Sequence, residues 1–172
     1  MTIEEEIDRL YAGSKTFAVP PSWHFEGESR NRLEMRVPLS IDYVTEEGLF
    51  LYGSCYPHVK DGGVTFVLLY HPAQGLAGPI VRFCWNPLHD HKNIGGHKGE
   101  WAWKPIVTTH LHGFELNRKY GWDGMVRKNL PIALPVDEEL SDFRDMLEYV
   151  GKIFKIADIQ RVPVPEWQQT LI

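Results

Sequence analysis

From Leu33 onward the chain alternates: Leu33, Met35, Val37, Leu39, Ile41 and Tyr43 are apolar, and the residues between them are mostly polar (Glu34, Arg36, Ser40, Asp42). A period of two marks a strand with one buried face, and it commits this stretch to a sheet. Pro38 cannot donate to a ladder, so its place in the run requires an edge position or a bulge. Glu46-Glu47-Gly48 and Asp61-Gly62-Gly63 read as turns, which set off strands over 49–55 and 64–70. A fourth strand covers 80–85. A fifth covers 106–116, with Thr108, His110 and His112 on one face and Val107, Thr109 and Leu111 on the other. Short Gly-containing connections between the early strands favour an antiparallel meander.

Helices flank this sheet. Thr2 and Glu5 have capping-box spacing, and Ile3, Ile7, Leu10 and Tyr11 share one helical face, which predicts a helix over 3–12 stopped by Gly13. Near the other end, Asp137 opens an acidic first turn (Asp137, Glu138, Glu139) and Lys152 and Lys155 close a basic last one, in keeping with the helix dipole. Leu140, Phe143, Leu147, Val150 and Phe154 form an apolar stripe to lay on the sheet. The expectation is one α+β domain. It has a helix and loop over 1–32, a mostly antiparallel twisted sheet of five or six strands over 33–134, an amphipathic helix over 137–156 and a proline-stiffened tail over 157–172. With 43% hydrophobic and 24% charged residues, the chain excludes wholesale disorder. No apolar run reaches the roughly 18–20 residues of a membrane span, and the acidic start lacks the form of a secretory signal. Two cysteines, Cys55 and Cys84, supply no disulfide framework and suit a reducing cytoplasm.

Charge and histidine point to one region. The net charge of −5 argues against coating nucleic acid by bulk charge. Yet residues 82–128 carry about +4 and the remainder about −9. The same region holds five of the eight histidines (His89, His91, His97, His110, His112) and four of the six tryptophans (Trp85, Trp101, Trp103, Trp122). On a strand, His110 and His112 stand side by side, ~6–7 Å apart. Two imidazoles so placed share acid–base work or ligate one metal ion.

Phosphodiester chemistry without a metal needs a base, an acid and a cation for the developing charge. His110, His112 and His91 are the candidate acid–base groups, and Arg82 is the candidate cation, its fork suited to a phosphate. Asn86 and Asn93 are candidate substrate contacts, and Tyr120 and Trp122 are available for base stacking. This reading requires no cofactor. The alternative is a divalent metal such as zinc held by His89, His91, His110 and His112, with Glu115, Asp90 or His97 as a further ligand. No His-Glu-x-x-His helix or Cys-x-x-Cys pair is present, and Gly95-Gly96 alone is no phosphate cradle. A cysteine on an alternating strand reads as buried and inert.

The residue order carries a resemblance. Arg82-Phe83-Cys84-Trp85-Asn86, His91-Lys92-Asn93, Thr109-His110-Leu111-His112, Gly121-Trp122-Asp123, a Leu-Pro-Ile segment and the closing helix follow one another over residues 80–156. This resembles small uncharacterised bacterial proteins patterned Arg-x-Asp-x-Asn, His-x-Asn, (Thr/Pro)-His-x-His. It is similar, more distantly, to the TumE-type toxin components of bacterial toxin–antitoxin modules. Where that pattern has Asp two residues after the Arg, this chain has Cys84. The resemblance implies a stress or phage-defence setting and a ribonuclease-like toxin acting on RNA or another phosphate-bearing ligand. It brings Arg82, Asn86, His91, Asn93, His110 and His112 to the site. The alternative from a different class is a non-catalytic interaction module, in which the Trp101-Ala102-Trp103 loop docks a protein partner such as an antitoxin or a second copy.

Overall fold

The computed structural model describes residues 1–28, 30–93 and 99–167. Helix α1 (Ile3–Ala12) starts where the capping box places it: Thr2 accepts from the Glu5 N–H, and the Glu5 carboxylate accepts from the Thr2 N–H. Eight antiparallel strands form the main sheet: β1 (Lys15–Phe17), β2 (His24–Phe25), β3 (Leu33–Ile41), β4 (Val44–Cys55), β5 (Val64–Tyr70), β6 (Gly78–Trp85), β9 (His110–His112) and β10 (Leu134–Pro135). Their order is β1-β3-β4-β5-β6-β9-β10, with β2 also on β3; β7 (His91–Lys92) and β8 (Pro105–Ile106) make a separate pair. The α+β class and the antiparallel meander agree with the sequence reading, whereas five or six strands was too few. β1 and β2 lie in what read as loop, because their two- and three-residue lengths are too short to show a period. Pro38 sits at a shift of register between β3 and β4, in the interior of the sheet rather than at its edge.

Two further expectations are corrected. Residues 106–116 are not one strand: Ile106 pairs in the small sheet, only His110–His112 joins the main one, and Gly113 caps a short helix, α2 (Phe114–Arg118). That helix buries Phe114 and Asn117, which lie one turn apart on one face. A second short helix, α3 (Gly121–Arg127), follows. Asp137 does not cap the C-terminal helix. Asp142 does, accepting from the N–H groups of Arg144 and Asp145, so α4 runs Phe143–Phe154. Leu140 stays outside it, and Met146 joins the stripe. The described tail includes a 3₁₀ turn at Ile159–Arg161, and residues 168–172 lie outside the described residues.

Strand alternation divides the sheet into two faces. One is apolar: Met35, Gly53, Phe66, Phe83 and Leu111 are successive partners across β3, β4, β5, β6 and β9. α4 covers this face, with Phe83 against Tyr149 (ring centroids 5.3 Å apart) and Trp85 against Phe143 (6.5 Å). The other face carries two polar rows across the same strands. One is Glu34, Ser54, Thr65, Cys84 and His110; the other is Arg36, Tyr52, Val67, Arg82 and His112. No helix among the described residues is long and apolar enough to cross a membrane.

Lys15 is fully buried, although nothing in its sequence neighbourhood marks it. Its ammonium donates to the carbonyls of Tyr11 (3.1 Å) and Gly13 (2.7 Å), at the end of α1, and to that of Phe154 (3.1 Å), at the end of α4. One side chain thus ties together two helix C-termini, where carbonyls lack partners and the dipole favours a cation. Lys15→Met keeps the bulk but leaves those carbonyls without a donor, and it should lower unfolding stability by about 2–4 kcal/mol. Urea denaturation measures this; an unchanged midpoint and slope would show that the ammonium contributes nothing.

Candidate functional site

The site grows out of the pairing of β6 with β9. Arg82 is the register partner of His112 and Cys84 that of His110, so the antiparallel ladder sets all four side chains on one face. Leu111, between the histidines, turns to the core beside Phe83. His91, on β7, folds back over them. Its ring centroid lies 4.4 Å from that of His112 and 5.7 Å from that of His110, and the latter two are 5.3 Å apart. These three imidazoles, Arg82 and Cys84 line a single cavity of about 230 Å³, whose lining also includes Tyr56, Thr65 and the exposed His89 and Asp90.

Backbone carbonyls fix the orientation of the paired imidazoles. Nδ1 of His110 lies 2.8 Å from the Thr108 carbonyl, and Nδ1 of His112 lies 2.7 Å from the Leu130 carbonyl. A carbonyl only accepts, so Nδ1 carries the proton in both rings and Nε2 keeps its lone pair. Nη2 of Arg82 donates to Nε2 of His112 (2.9 Å) and to the Asn129 carbonyl (3.2 Å), while its buried Nε has no acceptor among the described residues. Nε2 of His91 lies 3.1 Å from Oδ1 of Asn93.

Behind these groups runs the segment 130–133, held by two buried asparagines. Asn93 accepts from the Ala133 N–H and donates to the Ala133 carbonyl, both at 2.8 Å; Asn117 does the same for Ile132, at 2.9 and 2.8 Å. Each amide mimics a strand neighbour, which satisfies backbone that would otherwise be buried unpaired. Asn93 also holds His91, so one residue couples the segment that orients His112 to the loop that delivers His91.

Electrostatics follow from burial. Desolvation lowers the pKa of His91 and of His110, and the Arg82 charge adds to the effect in both. His112 falls well below the usual imidazole range, again first through burial and then through Arg82 and the neighbouring histidines. Burial raises the Cys84 thiol and lowers the Arg82 guanidinium.

A metal ion could be held here. Cys84, His110 and His112 each offer a ligand atom, and these lie within 4.8 Å of one another. The set differs from the four histidines expected: Cys84 enters it, His91 stands beside it and His89 is exposed. From sequence Cys84 reads as buried and inert, yet Arg82-x-Cys84 has the same strand spacing as His110-x-His112. Asn117 was missed as well, since a lone Asn in a basic stretch carries no signal.

The other expected contacts lie elsewhere. Trp122 is a core residue, its indole N–H on the Leu76 carbonyl and its ring 6.0 Å from Tyr70, so it offers no stacking face to a base. Tyr120 lies under Lys119 and Lys128, away from the cavity lining. Asn86 clamps a turn by donating to the Asp61 carbonyl and accepting from Thr109. Asn93 is buried with its amide fully engaged, so it holds His91 in place and is closed to a substrate. Trp103 is 63% exposed and Trp101 half-buried. His97, Gly95 and Gly96 lie outside the described residues. No protein-family model matches the chain, and no curated protein or solved structure does either.

The lowered imidazoles have a consequence for metal-free protein. Their folded pKa values lie below the unfolded value near 6.5, so between the two the unfolded chain binds more protons and stability falls as pH falls. Each group contributes at most about 1.4 kcal/mol per pH unit in that window. Urea midpoints measured from pH 8 to pH 5 should therefore drop below about pH 6.5, and more shallowly in His112→Asn. Identical slopes in the two proteins would contradict the assignment.

Proposed function

We propose that Cys84, His110 and His112 form a mononuclear centre for a zinc-type divalent ion, with hydrolysis as its chemistry. The observation that carries this reading is the orientation of the histidines. Both spend Nδ1–H on a backbone carbonyl and hold the Nε2 lone pair free of a proton, which is how metal-ligating imidazoles are aligned. One thiolate and two imidazoles leave a fourth tetrahedral position for water or substrate, the arrangement of catalytic rather than structural zinc. The ion would draw the proton from the Cys84 thiol on binding, which offsets the cost of burying it. An ion in that position lowers the pKa of its water and supplies a nucleophile at neutral pH. To admit it, the Arg82 guanidinium must turn away from Nε2 of His112.

A second reading, the metal-free two-histidine route to RNA cleavage, has its groups in one cavity: His110, His112, His91 and Arg82. Burial and Arg82 both favour neutral imidazoles there, so a proton donor is lacking at neutral pH. The metal centre is therefore the preferred reading, and chelation separates the two.

Purified protein should bind one equivalent of zinc. Cys84→Ser should weaken that binding by at least tenfold, and His110→Ala or His112→Ala should weaken it further. Elemental analysis and competition with a chromophoric chelator measure both quantities. Absence of stoichiometric zinc, cobalt or manganese would remove the centre. Cleavage of RNA that persists in chelator and is lost in His110→Ala would establish the metal-free route instead.

A further inference from the structure

We propose that Arg82 is the anchor for a phosphoryl oxyanion, and that the cavity takes the terminal phosphate of a phosphomonoester. This deepens the reading of the cavity as a metal centre and rests on it. The first observation is the state of the guanidinium. Among the described residues its hydrogen bonds all run through Nη2, to His112 and to the Asn129 carbonyl, and its buried Nε has no partner. Arg9, Arg32, Arg118, Arg127 and Arg161 each hold a carboxylate. Arg30 and Arg36 lie over aromatic rings. Arg144 donates to the Gln160 and Val162 carbonyls. Arg82, half-buried on the sheet, has neither a carboxylate nor a ring among the described residues. A half-buried guanidinium whose Nε is buried without a partner, and which has no counter-ion among the described residues, is a group that an anion would satisfy.

The second observation is position. Arg82 and the ligand set line the same cavity, and Arg82 is cross-strand to His112. An ion that takes the Nε2 lone pair of His112 releases Nη2, and the guanidinium is then left with an unpaired edge beside a second positive charge. Two cations on one cavity wall select an anion. Among the described residues, Asp90 is the one carboxylate in the cavity lining, and it is exposed.

The number of oxygens narrows the class. A guanidinium fork takes two acceptor oxygens and the ion takes a third. A carboxylate has two oxygens, and an internal phosphodiester has two that are not bridging. A terminal phosphate has three. A cavity of about 230 Å³ is also at the small end for ligand sites, suited to a phosphate with a modest group attached.

Titration calorimetry with inorganic phosphate tests the assignment on zinc-loaded and metal-free protein, with zinc content measured separately. Wild-type protein loaded with zinc should bind phosphate at least tenfold more tightly than Arg82→Gln, with one zinc retained in both. It should also prefer phosphate to a diribonucleotide that lacks a terminal phosphate. Equal phosphate affinity in Arg82→Gln, or no binding to either form of the wild type, overturns the proposal. Tighter binding of the diribonucleotide overturns the monoester assignment. Should zinc fail to bind, Arg82-dependent phosphate binding by the metal-free protein would uphold the anchor while the metal reading falls. Circular dichroism checks folding, and Arg82→Lys serves if Arg82→Gln does not fold. It keeps the charge without the fork, so its phosphate affinity should fall below that of the wild type, and an unchanged affinity overturns the proposal.

Discussion

Everything at the site depends on the register between β6 and β9. Directly opposed residues of an antiparallel pair share a face, so setting Arg82 against His112 also sets Cys84 against His110. A slip of one residue would turn Phe83 or Leu111 into the cavity and bring charge beneath α4, against Tyr149. The apolar cost of that slip is what locks a three-residue strand in place. The chemistry is therefore positioned by the hydrophobic core on the far face of the sheet, through the strict alternation of the strands.

Register chooses the face, and a second layer orients the rings. The segment 130–133 belongs to no strand, and its polar groups are answered by Asn93, Asn117 and His112. Neutral amides suit this task because they donate and accept at once, adding no charge beside Arg82. A carboxylate at either place would accept from the N–H groups but leave the Ile132 or Ala133 carbonyl without a donor. His112 and the segment that orients it are thus one connected hydrogen-bonded unit. Asn93 extends that unit to His91, from the far side of the loop.

Much of this was legible in the chain. Thr2 and Glu5 announced α1, the run from Leu33 announced β3, and His110-x-His112 announced a shared face, because each signal is local and periodic. What escaped depends on distant neighbours. Cys84 reads as buried and inert because the two histidines that stand beside it come from another strand. Trp122 looked available because it sits among basic residues, yet position along the chain says nothing about the face a helix buries. Asp137 reads as the cap because an acidic run follows it, whereas the helix begins at Asp142, whose side chain accepts from the Arg144 and Asp145 N–H groups. Lys15 gives no sign of burial, since the carbonyls that hold it come from 4 residues before it and 139 residues after it. His91 reaches its partners through a loop whose path no periodicity describes.

In the proposed centre a sulfur and two imidazoles from adjacent strands hold one ion. X-ray absorption at the zinc edge of the loaded protein tests it most directly. The account predicts one sulfur at about 2.3 Å together with imidazole nitrogen at about 2.0–2.1 Å. A shell of nitrogen and oxygen alone, with no sulfur, would contradict it.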